Sequence, residues 1–149
     1  MKDITRRLIE LFKANFCTPQ IAKVAMKLKE PSTTIHYNIK KLEREGKIKT
    51  YKAVFDYKKI DEGHCTYIMI NLPPPTYGDP ESVGESIAKD PRVESVDIVT
   101  GEHELFVKLR TKDIDEYYEY MKTIIKKYKI IKTISMTSLK QIKSEFVEL

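Results

Sequence analysis

Residues 31–48 read Pro31-Ser32-Thr33-Thr34-Ile35-His36-Tyr37-Asn38-Ile39-Lys40-Lys41-Leu42-Glu43-Arg44-Glu45-Gly46-Lys47-Ile48. Ile35, Ile39 and Leu42 recur at helical spacing, Pro31 excludes Glu30 from the helical region, Ser32 stands where a capping hydroxyl is expected, and Gly46 is a natural helix terminator. With those three apolar residues inward, an advance of about 100° per residue puts Thr33, Tyr37, Lys40 and Arg44 on the opposite face, flanked by Thr34 and Lys41. None of the six is acidic, and Glu43 and Glu45 fall away from the centre of the face. Hydroxyl, aromatic and cationic groups in that arrangement suit base edges and phosphates, whereas a merely solvated helix face normally mixes both signs of charge.

Working back toward the N-terminus, Ile4, Leu8, Leu11 and Phe12 predict an amphipathic helix over residues 3–14 with Asp3 as its cap. Thr18 and Pro19 then open a second helix whose stripe is Ile21, Val24, Ala25 and Leu28. Three short helices with a tight turn between the last two describe a helix-turn-helix, a pattern shared by tri-helical bundles that bind no nucleic acid; the surface of the third helix decides for the former. Residues 47–58 are rich in aromatic and β-branched types and read as an extended strand or small wing. Lys47, Lys49 and Lys52 there have two readings of equal weight, contact with phosphate or protection of a strand edge. Turn chemistry at Asp61-Glu62-Gly63 closes the segment. The expected organisation is a helix-turn-helix domain over 1–46, a hinge strand and linker over 47–63, and a second domain over 64–149.

The chain of 149 residues is 41% apolar and 33% charged, which excludes a disordered tail or a fibre. Its longest uncharged apolar run, near residues 67–72, is far below membrane-spanning length, so neither secretion nor membrane insertion is expected. Cys17 and Cys65 alone make no disulfide framework, and a reducing cytoplasm is the expected location. Charge is divided unevenly: residues 1–60 hold 15 Lys+Arg against six Asp+Glu, and residues 61–149 hold 12 against 16. The basic part invites a polyanion, because each cation that neutralises a phosphate releases counterions; the acidic part gains nothing there.

Beyond the linker the pattern alternates. Strands are expected over 64–72, 93–100, 104–111 and 130–142, and helices over 81–89 and 113–128, with a stiff turn over 73–80 and Gly101-Glu102-His103 turning between the middle strands. The second helix places Ile114, Tyr117, Tyr118, Met121, Ile124 and Ile125 inward. The order βαββαβ specifies a ferredoxin-like sandwich with helices on one face of an antiparallel sheet, giving an α+β chain overall. The other sheet face needs a cover, and self-association is the usual one.

Over nearly its full length the chain resembles the leucine-responsive regulator (Lrp/AsnC, or feast/famine) family of transcription factors. Residues 31–48 look like the family's recognition helix and its exit, ending in Leu-Glu-x-x-Gly-x-Ile. Asp90-Pro91-Arg92-Val93 through Val99-Thr100-Gly101-Glu102-His103-Glu104-Leu105 looks like its effector-domain hairpin. The resemblance implies a regulator of double-stranded DNA, a homodimer assembling to a tetramer or octamer, and an amino-acid effector bound between C-terminal domains, with no cofactor. Thr33, Tyr37, Lys40 and Arg44 are the expected groove contacts, with Thr34, His36 and Lys41 beside them; for His36 a neutral side chain packed beside the core is the competing reading. Thr100, Gly101, Glu102, His103 and Glu104 correspond to the effector loop, which could equally be a plain hairpin turn. Lys29-Glu30 replaces the turn glycine of the family, His103 stands where an aromatic residue is common, and Glu104 is one methylene longer than the usual aspartate.

Some relatives of the family are sirohaem decarboxylases, and His103-Glu104 invites that comparison, making a haem-pathway enzyme the alternative function. The apolar Leu105-Phe106-Val107 that follows lacks the polar partners acid–base chemistry requires. His64, Cys65 and His103 are three possible metal ligands without a ligand-set pattern, and no metal is expected. RNA binding lacks the aromatic-studded sheet signature of RNA modules.

Overall fold

The computed structural model describes residues 3–144 and 147–148; residues 1–2, 145–146 and 149 of the expected domain spans lie outside the described residues. The chain divides into two compact units, one reaching to Val54 and the other beginning at Phe55.

The first unit holds α1 (Thr5–Lys13), α2 (Ile21–Leu28) and α3 (Ser32–Arg44). Asp3 does not cap α1, whose cap position is Ile4; one residue earlier, its Oδ1 accepts from Thr5 N at 2.9 Å. Thr18 does not cap α2, which starts later, at Ile21 after Gln20, and Ser32 is the first residue of α3 rather than its cap. Between these helices Lys29 adopts the left-handed conformation (φ 56°) normally taken by glycine, and Glu30 N donates to Ala25 O at 3.1 Å. Gly46 (φ 68°) ends α3, with Lys47 N donating to Leu42 O at 2.9 Å. Ala25 and Ile35 are buried, while no residue of α1 is, and Leu42, expected inward, stays 37% exposed. Residues 47–58 form no strand; their pairing is a single parallel bridge between Phe16 and Tyr51, followed by a 3₁₀ turn over Tyr57–Ile60. Among the described residues no strand lies beside this segment to pair with it, and composition alone does not make a strand.

The second unit contains β1 (His64–Asn71), α4 (Pro74–Tyr77), α5 (Pro80–Ala88), β2 (Val93–Ile98), β3 (Leu105–Thr111), α6 (Ile114–Tyr128), β4 (Lys132–Thr137), and the short pair β5 (Lys143–Ser144) and β6 (Val147–Glu148). The main sheet is antiparallel in the order β2-β3-β1-β4, the ferredoxin-like arrangement. The expected turn at 73–80 contains the short α4, and the expected last strand is confined to Lys132–Thr137. Asp79 and Asp113 cap α5 and α6 by accepting from Ser82 N (3.1 Å) and Glu116 N (2.9 Å).

Ile68, Ile70, Leu105, Val107 and Leu109 alternate onto one sheet face and meet Val83, Ile87, Tyr120, Met121 and Ile124 from the helices. Gly84 lets α5 approach closely: a Cβ there would stand 3.4 Å from Leu105 and Val96 side chains. The buried stripe of α6 is rotated from expectation, with Tyr120 inside and Ile114, Tyr118 and Ile125 exposed. The apolar residues of that helix share one arc broad enough that periodicity does not say which edge lies deepest; Arg92, paired with Asp90 at 2.7 Å, lies 5.1 Å from the Tyr120 ring at the edge that is buried. On the opposite sheet face Tyr67 and Phe106 stack at 5.9 Å, beside exposed Ile134 and Met136.

Candidate nucleic-acid interface and effector loop

The outer surface of α3 carries Thr33, Thr34, His36, Tyr37, Lys40, Lys41 and Arg44, all exposed, while Ile35 points into the helical unit. An open depression of about 560 Å³ on this side is lined by Ile21, Ser32, Thr33, His36, Tyr37 and Lys40. Ile21, the first residue of α2, and Ser32, the first of α3, complete the lining, and spacing within α3 does not reveal the contribution of α2.

The cations are not equivalent. Lys40 Nζ lies 2.7 Å from Glu43 Oε2, and Glu43 Oε1 accepts from the Tyr51 hydroxyl at 3.0 Å. The Lys40 ammonium holds the Glu43 carboxyl below its usual range, and the same bond raises Lys40. Lys41 reaches Glu45 only at 4.0 Å, whereas Arg44 has no ionic partner among the described residues. Glu43, off the centre of the cationic face, thus partly neutralises it from the side. His36 is exposed rather than packed into the core.

The β2–β3 connection holds the second group. Gly101 has φ 118°, and an added Cβ would meet nothing within 4 Å, so backbone conformation rather than space calls for glycine. Glu104 N donates to Ile70 O at 3.1 Å, and Glu104 Oε2 accepts from Leu72 N at 2.8 Å, binding the loop to the end of β1. Glu102 is exposed and pairs with Lys132 at 3.1 Å, which lowers its carboxyl below the usual range. Asn71 Nδ2 donates to Glu102 O, and Thr100 is exposed. His103 is buried; its Nε2 and the Asn71 Oδ1 are both shielded from solvent and have no hydrogen-bond partner among the described residues. Buried polar atoms are nearly always satisfied, and these two leave one acceptor and one ring nitrogen available beside the loop.

Asn71 and Lys132 went unnoticed in the sequence. They are register partners across β1 and β4, and only sheet pairing brings them to a loop far away along the chain. His64 stands at the opposite end of β1 from His103, and among the described residues no group of three His, Cys, Asp or Glu side chains is gathered for a metal.

Residues 65–147 match the Lrp/AsnC ligand binding domain family. The chain belongs to the Lrp/AsnC family. An uncharacterized HTH-type transcriptional regulator of Pyrococcus abyssi is 35% identical to this Lrp/AsnC chain over 149 residues, covering 97% of each. The HTH-type transcriptional regulator FL11 of Pyrococcus horikoshii is 27% identical over 126 residues, covering 83% of this chain and 80% of its own. Two solved structures share the Lrp/AsnC fold. An AsnC family transcriptional regulator from Agrobacterium tumefaciens superposes with a TM-score of 0.75 at 22% identity, covering 97% of this chain and 94% of that one. A feast or famine regulatory protein from M. tuberculosis, complexed with L-methionine, gives 0.74 at 18% identity, covering 97% and 95%. Regulation of transcription, rather than an enzymatic activity, is what the Lrp/AsnC family and these named relatives support for the chain.

Proposed function

We propose that this protein is a sequence-specific, double-stranded-DNA-binding transcriptional regulator of the cytoplasm that works as a homodimer or larger symmetric oligomer and answers to an amino acid. The observation that carries the reading is the outer face of α3, where seven exposed side chains offer hydroxyls, an aromatic ring and cations with no acid among them. Lys40, Lys41 and Arg44 supply phosphate contacts, while Thr33, Thr34, His36 and Tyr37 face base edges, with the apolar edge of Ile21 suited to a thymine methyl. Binding, not catalysis, is the mechanism. Among the described residues no helix is long and apolar enough to cross a membrane.

Two uncovered surfaces support self-association. Ile4, Leu8 and Leu11 of the α1 region are exposed, and on the sheet face bearing Tyr67 and Phe106 the apolar Ile134 and Met136 are exposed too, with no layer of the C-terminal unit over them among the described residues. A two-fold dimer covers each surface with its own copy and presents two α3 helices to paired half-sites. A further doubling to a tetramer or octamer builds on that dimer.

The loop of Thr100, Gly101, Glu102, His103 and Glu104 is the proposed effector site. A free amino acid supplies an ammonium for Asn71 Oδ1 and the Glu102 carboxylate, and a carboxylate for Lys132 and His103 Nε2, meeting both orphaned atoms. The test is selection of duplex DNA from a random pool at two salt concentrations, with particle mass followed by light scattering. Enrichment of a palindromic site whose affinity falls steeply with salt is the expected result; a folded oligomer that enriches no sequence refutes it.

A further inference from the structure

The end of the main sheet opposite the Gly101 loop carries a second recessed site within the C-terminal unit. A cavity of about 180 Å³ opens between the Tyr57–Ile60 turn, the start of β1, the end of β3 and the chain following β4. Arg110 lines it and is only 6% exposed. Its Nε and Nη2 engage Glu94 Oε2 at 2.9 and 2.7 Å, Nη2 also donates to Gln141 Oε1 at 2.9 Å, and the Tyr57 ring lies 3.7 Å from the guanidinium carbon.

The charge of this cluster does not balance. Glu94, its side chain 10% exposed, also takes the Lys108 ammonium at 2.6 Å, so one shielded carboxylate serves two shielded cations. Burial pushes the Glu94 carboxyl up, yet hydrogen bonds from Lys108 and Arg110 outweigh it and hold it below its ordinary range. Lys58 and Lys140 line the same cavity with no ionic partner among the described residues, and the acid of the lining, Asp56, is 3.4 Å from Lys59. A purely structural ion-pair network neutralises itself, because a surplus charge away from water is expensive. Here the shielded trio keeps one positive charge over, and its Arg110 lines a cavity that the exposed Lys58 and Lys140 also line.

We propose that this cavity binds a small organic dicarboxylate. One carboxylate meets the remaining Nη1 edge of Arg110, the other the Lys58 and Lys140 ammonium groups, and a short carbon body packs against the Tyr57 ring and Cys65. At about 30 Å³ per water displaced, the volume corresponds to roughly six waters, the size of a four-carbon diacid. A phosphate ester fits the chemistry less well. Phosphate sites are built on clustered backbone N–H groups or a helix N-terminus, whereas Ser138 N here is already committed to Cys65 O at 2.8 Å. Asp56 and Tyr57 directly follow the boundary between the two units. An occupied cavity therefore fastens the first turn of the C-terminal unit to its sheet, a second regulatory input separate from the effector loop.

The full-length chain is titrated calorimetrically with succinate, acetate and inorganic phosphate at matched ionic strength, and its thermal midpoint is followed in parallel. Lys58→Gln and Lys140→Gln change exposed side chains and leave the packed Arg110–Glu94 cluster intact. Saturable succinate binding at one site per chain is expected, weakened about threefold by either substitution and about tenfold by both. Absence of saturable binding at millimolar succinate, tighter binding of phosphate, or succinate affinity unchanged in the double variant each overturns the proposal. The last result would mean that the diacid binds elsewhere, at the effector loop or on the general surface.

Discussion

The unequal pairing of the α3 cations makes a prediction that ordinary alanine scanning would miss. Arg44 has no ionic partner among the described residues, so its contact with phosphate releases counterions in full; Lys40 must first exchange Glu43 Oε2, 2.7 Å away, for the phosphate. Each phosphate contact contributes about 0.9 to the slope of log affinity against log salt. A dimer carries each side chain twice, so Arg44→Ala flattens that slope by about 1.8, and over a fourfold rise in salt the variant loses roughly twelvefold less affinity than the wild type. Lys40→Ala flattens it less. Glu43→Gln goes the other way, because it frees Lys40 while an amide oxygen still accepts from the Tyr51 hydroxyl: affinity rises and the slope steepens. Fluorescence anisotropy with the selected duplex, from about 50 to about 200 mM salt, reads all three variants. A wild-type slope in Arg44→Ala, or weaker binding by Glu43→Gln, would refute the assignment of this face.

Other parts of the molecule give independent tests. Lys29→Gly relieves left-handed strain in the α2–α3 turn, offset partly by the entropy glycine adds to the unfolded chain, and is expected to stabilise the helical unit by about 0.5–1 kcal/mol in urea unfolding. Phe106→Lys places a charge within the uncovered sheet face and should reduce particle mass in light scattering while leaving far-UV circular dichroism unchanged. Glu94→Gln leaves Lys108 and Arg110 without their carboxylate and is expected to destabilise the C-terminal unit by about 3–5 kcal/mol in denaturant melts. The pH dependence follows from the same residue. Its folded carboxyl lies below the ordinary 4.5, so its stabilisation is complete above that pH and is lost as pH falls through the lowered folded value. Asp90, held low by the hydrogen bond from Arg92, adds to this effect. Melts below pH 4.5 should thus show a steep loss of stability in the wild type and a shallower one in Glu94→Gln.

Much of this was readable from residue order. The period-two alternation of Leu105, Val107 and Leu109 against Phe106, Lys108 and Arg110 declares a strand with one apolar face, and Gly46 declares the end of α3. These are local facts, each decided by a few neighbouring residues and the geometry of one element. The misreadings share a different cause. Residues 47–58 have the composition of a strand but, among the described residues, no strand beside them, and the apolar residues of α6 fill an arc wide enough that the edge turned inward depends on what stands opposite. Spacing within one element contains neither fact.

The sequence by itself determined the three N-terminal helices, the main βαββαβ order of the C-terminal unit and the cationic face of α3, because side-chain periodicity and turn chemistry act over a few residues. Only the tertiary structure decided which charges remain free. Tyr51 reaches Glu43 through the chain's return, Asn71 and Lys132 meet the Gly101 loop through sheet register, and Glu94 shares itself between Lys108 and Arg110 through the pairing of β2 with β3. Ion pairing and burial fall off within a few ångströms of space, and closeness in space between distant segments is settled only when the chain has folded.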